Sequence, residues 1–418
     1  MSSAGRRLHW ALWRMCRVPG WMPSSMTGRL SLSRNSKPSI PHAAAKPKLL
    51  FLVSEDWYFM SHRLALALAA RDAGYGVVVA TRVSTHGTAM EALGLRVVPL
   101  AQMKRSSANI WNEIKCLSEI LSIIRQEKPT VVHAVAIKPV IYAAICSHVL
   151  KVPRFVAALG GLGSIFSDSG LKARLLRPLV KGLFRLLLNR ENTRVILQNA
   201  NDLDVMTRGC GLLEGNSVLV RGAGVDTEQY AARPIPDGVP VVMLASRMIW
   251  PKGVQEFVDA AIKVKEKTDV RFVLVGRPDC ENAASVPETL LVKWNREGTI
   301  EWWGHRADMA DTLAEATVVC LPTYYGEGVP KILLEAMSVG RPIITTDMPG
   351  CRELVESGRT GALVERRNAE SLARAIEGLL SKPDRLALAG QEARKMVIAE
   401  YSVEQVIDQT LRTYGPIH

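Results

Sequence analysis

The chain has 418 residues, 48% of them hydrophobic and 22% charged, with a formal net charge of +13. A length on this scale exceeds a comfortable single core and predicts two domains. No apolar run reaches the roughly 18 residues that span a bilayer, so no transmembrane helix is expected.

The charge is localised. Residues 1–54 carry nine Lys or Arg and no acid, residues 171–190 carry six and no acid, and the remainder of the chain is left at −2. A nucleic-acid binder spreads its bases along a recognition surface, so no nucleic-acid partner is expected. The seven cysteines are scattered and odd in number, with no CxxC pair. Neither a disulfide framework nor a zinc site is indicated, which suits a reducing compartment.

Residues 1–47 are rich in Ser, Arg and Pro and open on a Trp- and Met-containing segment. The composition predicts a basic, poorly ordered leader. Three readings stay open for it: a membrane-surface anchor, a transit-like leader, or a tail without a role. Folding proper starts at Lys48. PKLLFLVSE reads as a buried strand, followed by a short turn over Glu55 to Met60 and the helix SHRLALALAARDAGY. The strand YGVVVATR, a helix near 86–94, the strand LRVVPL and the amphipathic helix NIWNEIKCLSEILSIIRQEKP follow. TVVHAVA, VIYAAICSHVLKV and RFVAALG continue the alternation, and RVILQNA and SVLVRGAG add two strands. Strict alternation of strand and helix predicts an α/β protein with parallel, doubly wound sheets.

The three prolines of ARPIPDGVP (232–240) break the pattern and place the linker there. Beyond it the alternation restarts with VVMLASR and runs through VVCLP, a helix from Lys331, PIITT and closing helices at 369–380 and 385–400. The expected organisation is therefore a leader over 1–47, a first Rossmann-like domain over 48–231, a linker, a second Rossmann-like domain over 241–400, and a last segment, 401–418, crossing back. A ligand cleft is expected between the two domains.

Candidate chemistry gathers in the second half. Glu327 lies in a Gly-Glu-Gly turn, where the backbone is free to approach a ligand. Glu335 follows eight positions later on a helix opening at Pro330, whose N–H groups point back at the turn. Arg247 and Lys252 occupy a loop at the carboxyl end of a strand, and two cations there suit a diphosphate. Amides and cations for phosphates, with carboxylates for hydroxyls, match a sugar nucleotide. Asp202-Leu-Asp204 is set aside as a metal site because Asn201 or Asp202 makes a good helix cap. Gly160 to Gly163 lack dinucleotide spacing.

These motifs resemble those of glycosyltransferase family 4, of the GT-B fold. The resemblance rests on Arg247…Lys252-Gly253, EWWG (301–304) and EGVPKILLEAMSVGRPIITTDMPGCRELV (327–355), and it runs from about residue 48 to the end. It implies two Rossmann-like domains facing a central cleft, no metal or other cofactor, and a UDP-sugar donor. By the same resemblance Glu327 contacts the transferred sugar, Glu335 the ribose, and Arg247 and Lys252 the diphosphate. The backbone near Gly304 and His305 meets the base, and Gly328, Val329, Pro330 and Lys331 complete the donor site.

The first half, through EDWYFMSHRLALALAARDAGY, HAVAIKPVIY and ALGGLGSIF, is similar to enzymes that extend lipid-diphosphate-linked sugars in surface polysaccharide or glycan assembly. Where many members carry a histidine after the RFVAAL strand, this chain has Gly160-Gly161. His62, Arg63 and Lys138, with Gly161, are the acceptor-side candidates. His133 is a candidate too, though it reads equally as a core histidine. The helix over 171–190 alternates leucines with bases and is expected to face an anionic membrane, or to be a core helix with a solvated basic side. The implied activity is a retaining hexosyl or N-acetylhexosaminyl transfer from a UDP-sugar to a polyprenyl-diphosphate-linked saccharide, at the cytoplasmic face of a membrane. Another GT-B reaction, such as nucleotide-sugar epimerisation, and a non-catalytic scaffold remain as alternatives.

Overall fold

The structure, a computed structural model, describes residues 46–104, 109–163, 166 and 170–416, with the backbone alone at 171–173. The leader expected over 1–47 falls, up to residue 45, outside the described residues. The first half runs β1 (Lys48–Glu55), α1 (Asp56–His62), α2 (Leu64–Asp72), β2 (Gly76–Arg82), α3 (Gly87–Ala92), β3 (Arg96–Pro99), α4 (Ile110–Glu127), β4 (Val131–Val135), α5 (Ile137–Val149), β5 (Arg154–Leu159), α6 (Leu171–Leu188), β6 (Thr193–Leu197), α7 (Ala200–Asp204) and β7 (Ser217–Leu219). Its strands form one parallel sheet in the order β3-β2-β1-β4-β5-β6-β7.

The second half runs β8 (Val241–Ala245), α8 (Val254–Lys265), β9 (Arg271–Val275), α9 (Glu288–Arg296), β10 (Glu301–Trp302), α10 (Met309–Ala314), β11 (Val318–Leu321), α11 (Lys331–Val339), β12 (Ile343–Thr346), β13 (Gly361–Val364), α12 (Ala369–Leu380), α13 (Pro383–Glu400) and α14 (Val403–Tyr414). Its parallel order is β10-β9-β8-β11-β12-β13. The strand order reverses beside β1 in one sheet and beside β8 in the other, which places ligand sites outside the carboxyl ends of those strands. Helices cover both sheet faces. In the first half α4, α5 and α6 bury one face, and α1, α2 and α14 the other.

Three local expectations need correction. The turn expected over Glu55 to Met60 is the helix α1: Asp56, fully buried, accepts from the N–H of Trp57 at 2.7 Å and from the N–H groups of Ser84, Thr85 and His86 at 2.7 to 2.9 Å. The cap before Asp202 is Asn199, whose side chain accepts from the Asp202 N–H at 2.8 Å, rather than Asn201 or Asp202. The helix α9 and the strand β13 were not expected, the one being strongly polar and the other opening on Gly361-Ala362.

The proline-rich crossing is pinned. Arg341, with no exposed surface, donates to the carbonyls of Arg233, Pro234, Leu313 and Ala314 at 2.7 to 3.2 Å. A second crossing brings the chain back to the first half: the Val225 N–H donates to Tyr401 O and the Val403 N–H to Val225 O, both at 3.0 Å. Beyond it, α14 buries Val406 and Tyr414 among the apolar side chains of β1, β2 and α2.

Candidate active site

The loop after β8 is tied to the segment after β11. The Thr323 hydroxyl and the Tyr324 N–H each donate to Pro251 O at 3.0 Å. That anchorage fixes Lys252, whose Nζ donates to Glu327 Oε2 at 2.6 Å, both side chains being largely buried. Glu327 Oε1 is buried with no hydrogen-bond partner. A buried carboxylate oxygen left unpaired costs about 1–3 kcal/mol or more, so this oxygen is open to a donor that a ligand brings. A sugar hydroxyl has that chemistry.

Pro330 is the residue just outside α11, one position earlier than its expected place as first helical residue. The leading N–H groups of α11, at Lys331 and Ile332, have no carbonyl within the helix to pair with, and they present positive potential to an anion. Lys331 and Glu335 pair along the helix at 2.7 Å, with Glu335 only 7% exposed. Tyr230 stands beside them: burial, together with the Glu335 carboxylate, raises its pKa far above the usual phenol range. The Lys331 ammonium lies 6.0 Å from the same ring. Arg247 pairs with Asp279 at 2.6 Å and also lies 5.9 Å from the ring of Trp57, on α1 of the first half.

The two halves meet at the Glu327 turn. The Gly328 N–H donates to Gly160 O at 3.1 Å, and the Val329 N–H donates to Gln198 Oε1 at 3.1 Å. Gly161 has φ +105°, and a Cβ built there would lie 2.5 Å from Gly328 N. No side chain fits at that position in this arrangement, a histidine included. On the opposite wall a Cβ at Gly350 would sit within bonding distance of Gly328 O. The turn is therefore held between two glycines.

His62 closes α1. Its ring stacks on Tyr58, with centroids 4.1 Å apart and planes 6° from parallel, and Nδ1 lies 2.6 Å from the Ser61 hydroxyl. Burial, with the charges of Lys331, Arg63 and Lys252, pushes its pKa down to about 3, so the imidazole is neutral. Two of those cations belong to the second half, which places His62 on the cleft side. Arg63 is buried, and its Nε has no partner. Lys138 is engaged with Glu113 and with Lys104 O, each at 3.0 Å, on the α4–α5 side. His133 sits in the core: Nδ1 lies 2.8 Å from the Tyr414 hydroxyl and the ring packs on Phe51. Gly304 and His305 follow β10, with Gly304 O accepting from Gly276 N–H at 2.7 Å and His305 exposed.

Two family models match this chain over its two sheets: glycosyl transferase 4-like over residues 48–199, and glycosyl transferases group 1 over residues 239–382. The chain belongs to the GT-B glycosyltransferases.

The transferase is 26% identical over 381 residues to the N,N'-diacetylbacillosaminyl-diphospho-undecaprenol alpha-1,3-N-acetylgalactosaminyltransferase of Campylobacter jejuni, with 86% of this chain and 98% of the relative covered. It is 23% identical to the capsular polysaccharide biosynthesis glycosyltransferase CapM of Staphylococcus aureus, over 80% of this chain and 88% of the relative. Its fold matches that of Anabaena Alr3699/HepE solved with UDP and glucose, with a TM-score of 0.73 at 19% identity, covering 89% of this chain and 100% of the other.

Four residues of the transferase's cleft escaped the sequence reading. Gln198 directly follows β6 on the edge facing the Glu327 turn, and a position at the carboxyl end of a strand is a signal in itself. Trp57 lies on a helix that was read as a turn. Tyr230 precedes the linker and looked like an ordinary aromatic. Asp279 carries no motif. Asp202 and Asp204, set aside as a metal pair, are separately engaged, Asp202 with Asn199 and Asp204 with Arg208. Burial pushes the Asp202 pKa up to about 6.

Proposed function

We propose that the transferase moves a hexose or N-acetylhexosamine, with retention, from a UDP-sugar to a saccharide carried on a polyprenyl diphosphate, in surface polysaccharide or glycan assembly. The observation that carries this reading is the Lys252–Glu327 pair with its unpaired Oε1, set between the two halves. Glu327 Oε1 accepts from a hydroxyl of the transferred sugar, and Glu335 accepts from the ribose. Lys252 has ammonium protons to spare beyond the one on Glu327, and with Arg247 and the leading amides of α11 it offsets the charge that builds on the diphosphate as the glycosidic bond breaks. The departing phosphate then takes the acceptor proton on the same face, so no separate general base is needed. Because these cations and amides supply the positive charge, turnover is expected to survive EDTA.

The acceptor side is supported by the likeness to the Campylobacter relative, named for its action on a diphospho-undecaprenol-linked sugar. His62 and Arg63 face it from the end of α1, with the Gly161 backbone beside them, while Lys138 reaches it only by leaving Glu113. The basic helix α6 rests on an anionic membrane at its cytoplasmic face. The association proposed is peripheral, and no helix of the described residues is long and apolar enough to cross a bilayer. The decisive experiment measures UDP release from UDP-sugars with and without a polyprenyl-diphosphate-sugar. Acceptor-dependent release supports the proposal; no release with any donor sinks it, and acceptor-independent conversion of the donor favours an epimerase.

A further inference from the structure

The leucines of α6 divide into two sets. Val180, Phe184, Leu187 and Leu188 are buried in the first half's core. Leu175, Leu179 and Leu186 are 69%, 61% and 64% exposed, and Leu176 is 48% exposed. At about 100° per residue, Leu175, Leu179 and Leu186 fall within roughly 40° of one another. On the same wheel Arg174, Arg177, Lys181 and Arg185 form a row along one flank of that stripe. A core helix with a solvated side would show bases outward and leucines inward. Here an apolar stripe faces outward as well.

A second apolar ridge stands on the same helical layer. The first turn of α4 exposes Ile110 by 67%, Trp111 by 68% and Ile114 by 51%, while Cys116, Ile120, Ile123 and Ile124 turn into the core. Among the described residues, seven of the sixteen exposed large apolar side chains lie on α4 and α6. Helix α5 packs against both, and all three bury their inner sides in one core. Each helix begins beyond the carboxyl end of a strand, α4 after β3 and α6 after β5, so the α4 ridge and the start of the α6 stripe lie toward the cleft end of the first half. Such ridges are convex, and they are bordered by bases: the α6 row, and Lys104 and Lys115 near the α4 turn.

Convex apolar ridges bordered by cations, with a tryptophan at the tip, fit the headgroup boundary of an anionic bilayer. We infer that the first turn of α4 inserts into that boundary through Ile110, Trp111 and Ile114, beside the outer leucine stripe of α6, so that the first half docks by two helices. This rests on the proposed membrane-bound acceptor and adds an apolar, salt-resistant component that bases alone do not supply. Electrostatic attraction weakens with salt; burial of Trp and Ile does not.

The test is co-sedimentation of the full chain with phosphatidylcholine vesicles, with and without phosphatidylglycerol, at low and high salt. Wild type should bind the anionic vesicles and keep part of that binding at high salt. I110S/W111S/I114S should weaken the high-salt share about tenfold or more, leaving UDP release with a short, water-soluble acceptor unchanged. R174E/K181E should instead remove the salt-sensitive share. As a measurement independent of the triple variant's folding, a nitrobenzoxadiazole probe at Ile114→Cys in a Cys16→Ser/Cys280→Ser background should shift to the blue on vesicles, and a probe at Val292→Cys should not. If the α4 variant binds like wild type while R174E/K181E loses binding, the α4 inference falls and the membrane reading stands. If wild type binds no vesicles, both fall. If the α4 variant only turns a dimer into a monomer, the ridge is a contact between copies and the inference is overturned.

Discussion

Glu327 holds Lys252 with one carboxylate oxygen at 2.6 Å and keeps the other buried and unpaired. The pair spans 75 positions of sequence and joins the two loops that carry the site. Replacing Glu327 by Gln keeps the shape and removes the charge that fixes Lys252. The expected result is a fall in kcat of about 10²-fold from lost positioning, with a lowered unfolding midpoint, since the largely buried Lys252 ammonium loses its counter-charge. UDP release and thermal melts together check it; unchanged turnover would leave the scaffold reading in place.

Gln198 and Gly161 are expected to couple the halves. Gln198→Ala removes the acceptor of the buried Val329 N–H and should cost about 1–3 kcal/mol. Gln198→Glu keeps an acceptor and should recover most of it. Gly161→Ala places a methyl group 2.5 Å from Gly328 N, in a left-handed conformation that alanine resists. The turn must move, and the donor KM should rise at least as much as kcat falls. Denaturant titrations and donor saturation curves separate the two effects.

Asp56 makes stability depend on acid. Burial raises its pKa, but the Ser84 hydroxyl and the N–H groups of His86, Ser84 and Thr85 outweigh that and hold it at about 2. A carboxyl whose folded pKa is depressed stabilises above its unfolded value near 3.8 and loses that contribution as pH falls toward 2. Asp56→Asn should therefore be several kcal/mol less stable at neutral pH, as expected for lost hydrogen bonds to a charge. The gap from wild type should close between pH 4 and 2. Chemical denaturation across that range measures it.

His62 titrates the opposite way from a surface histidine. With a folded pKa of about 3 against an unfolded value of 6.5, the unfolded chain takes the proton first. Its contribution to stability is thus intact above pH 6.5 and declines as pH falls from there toward 3. His62→Phe should show a shallower loss of stability over that window. The kcat/KM profile of wild type should carry no step near pH 6.5 from this group; a step that disappears in His62→Phe would overturn the assignment.

How much of this was legible beforehand follows from the range of each interaction. The strands announced themselves because β1, β4, β8 and β11 are covered on both faces and read as short, mainly apolar runs, broken in β4 only by His133. Glu327, Glu335, Arg247 and Lys252 stood out because local motifs surround them. Helix α1 did not, since four consecutive aromatic or apolar residues, Trp57 to Met60, leave no period to detect and its N-terminal anchor is a loop about 30 positions away. Gln198 was invisible for a stronger reason. Its partner lies 131 positions on, in the turn before α11 of the other half, and nothing local encodes the docking of two halves. The outward leucines of α6 likewise needed the core to be known before they could be told from the inward ones.

The two crossings between the halves run side by side, joined at Val225, which donates to Tyr401 O and accepts from Val403 N–H. A single tether would let one half tumble freely about the other. Two tethers laced at one point hold the halves more closely than one would. Because the Gly160 and Gln198 acceptors meet neighbouring amides of one turn, at Gly328 and Val329, any separation of the halves there gives up both bonds together.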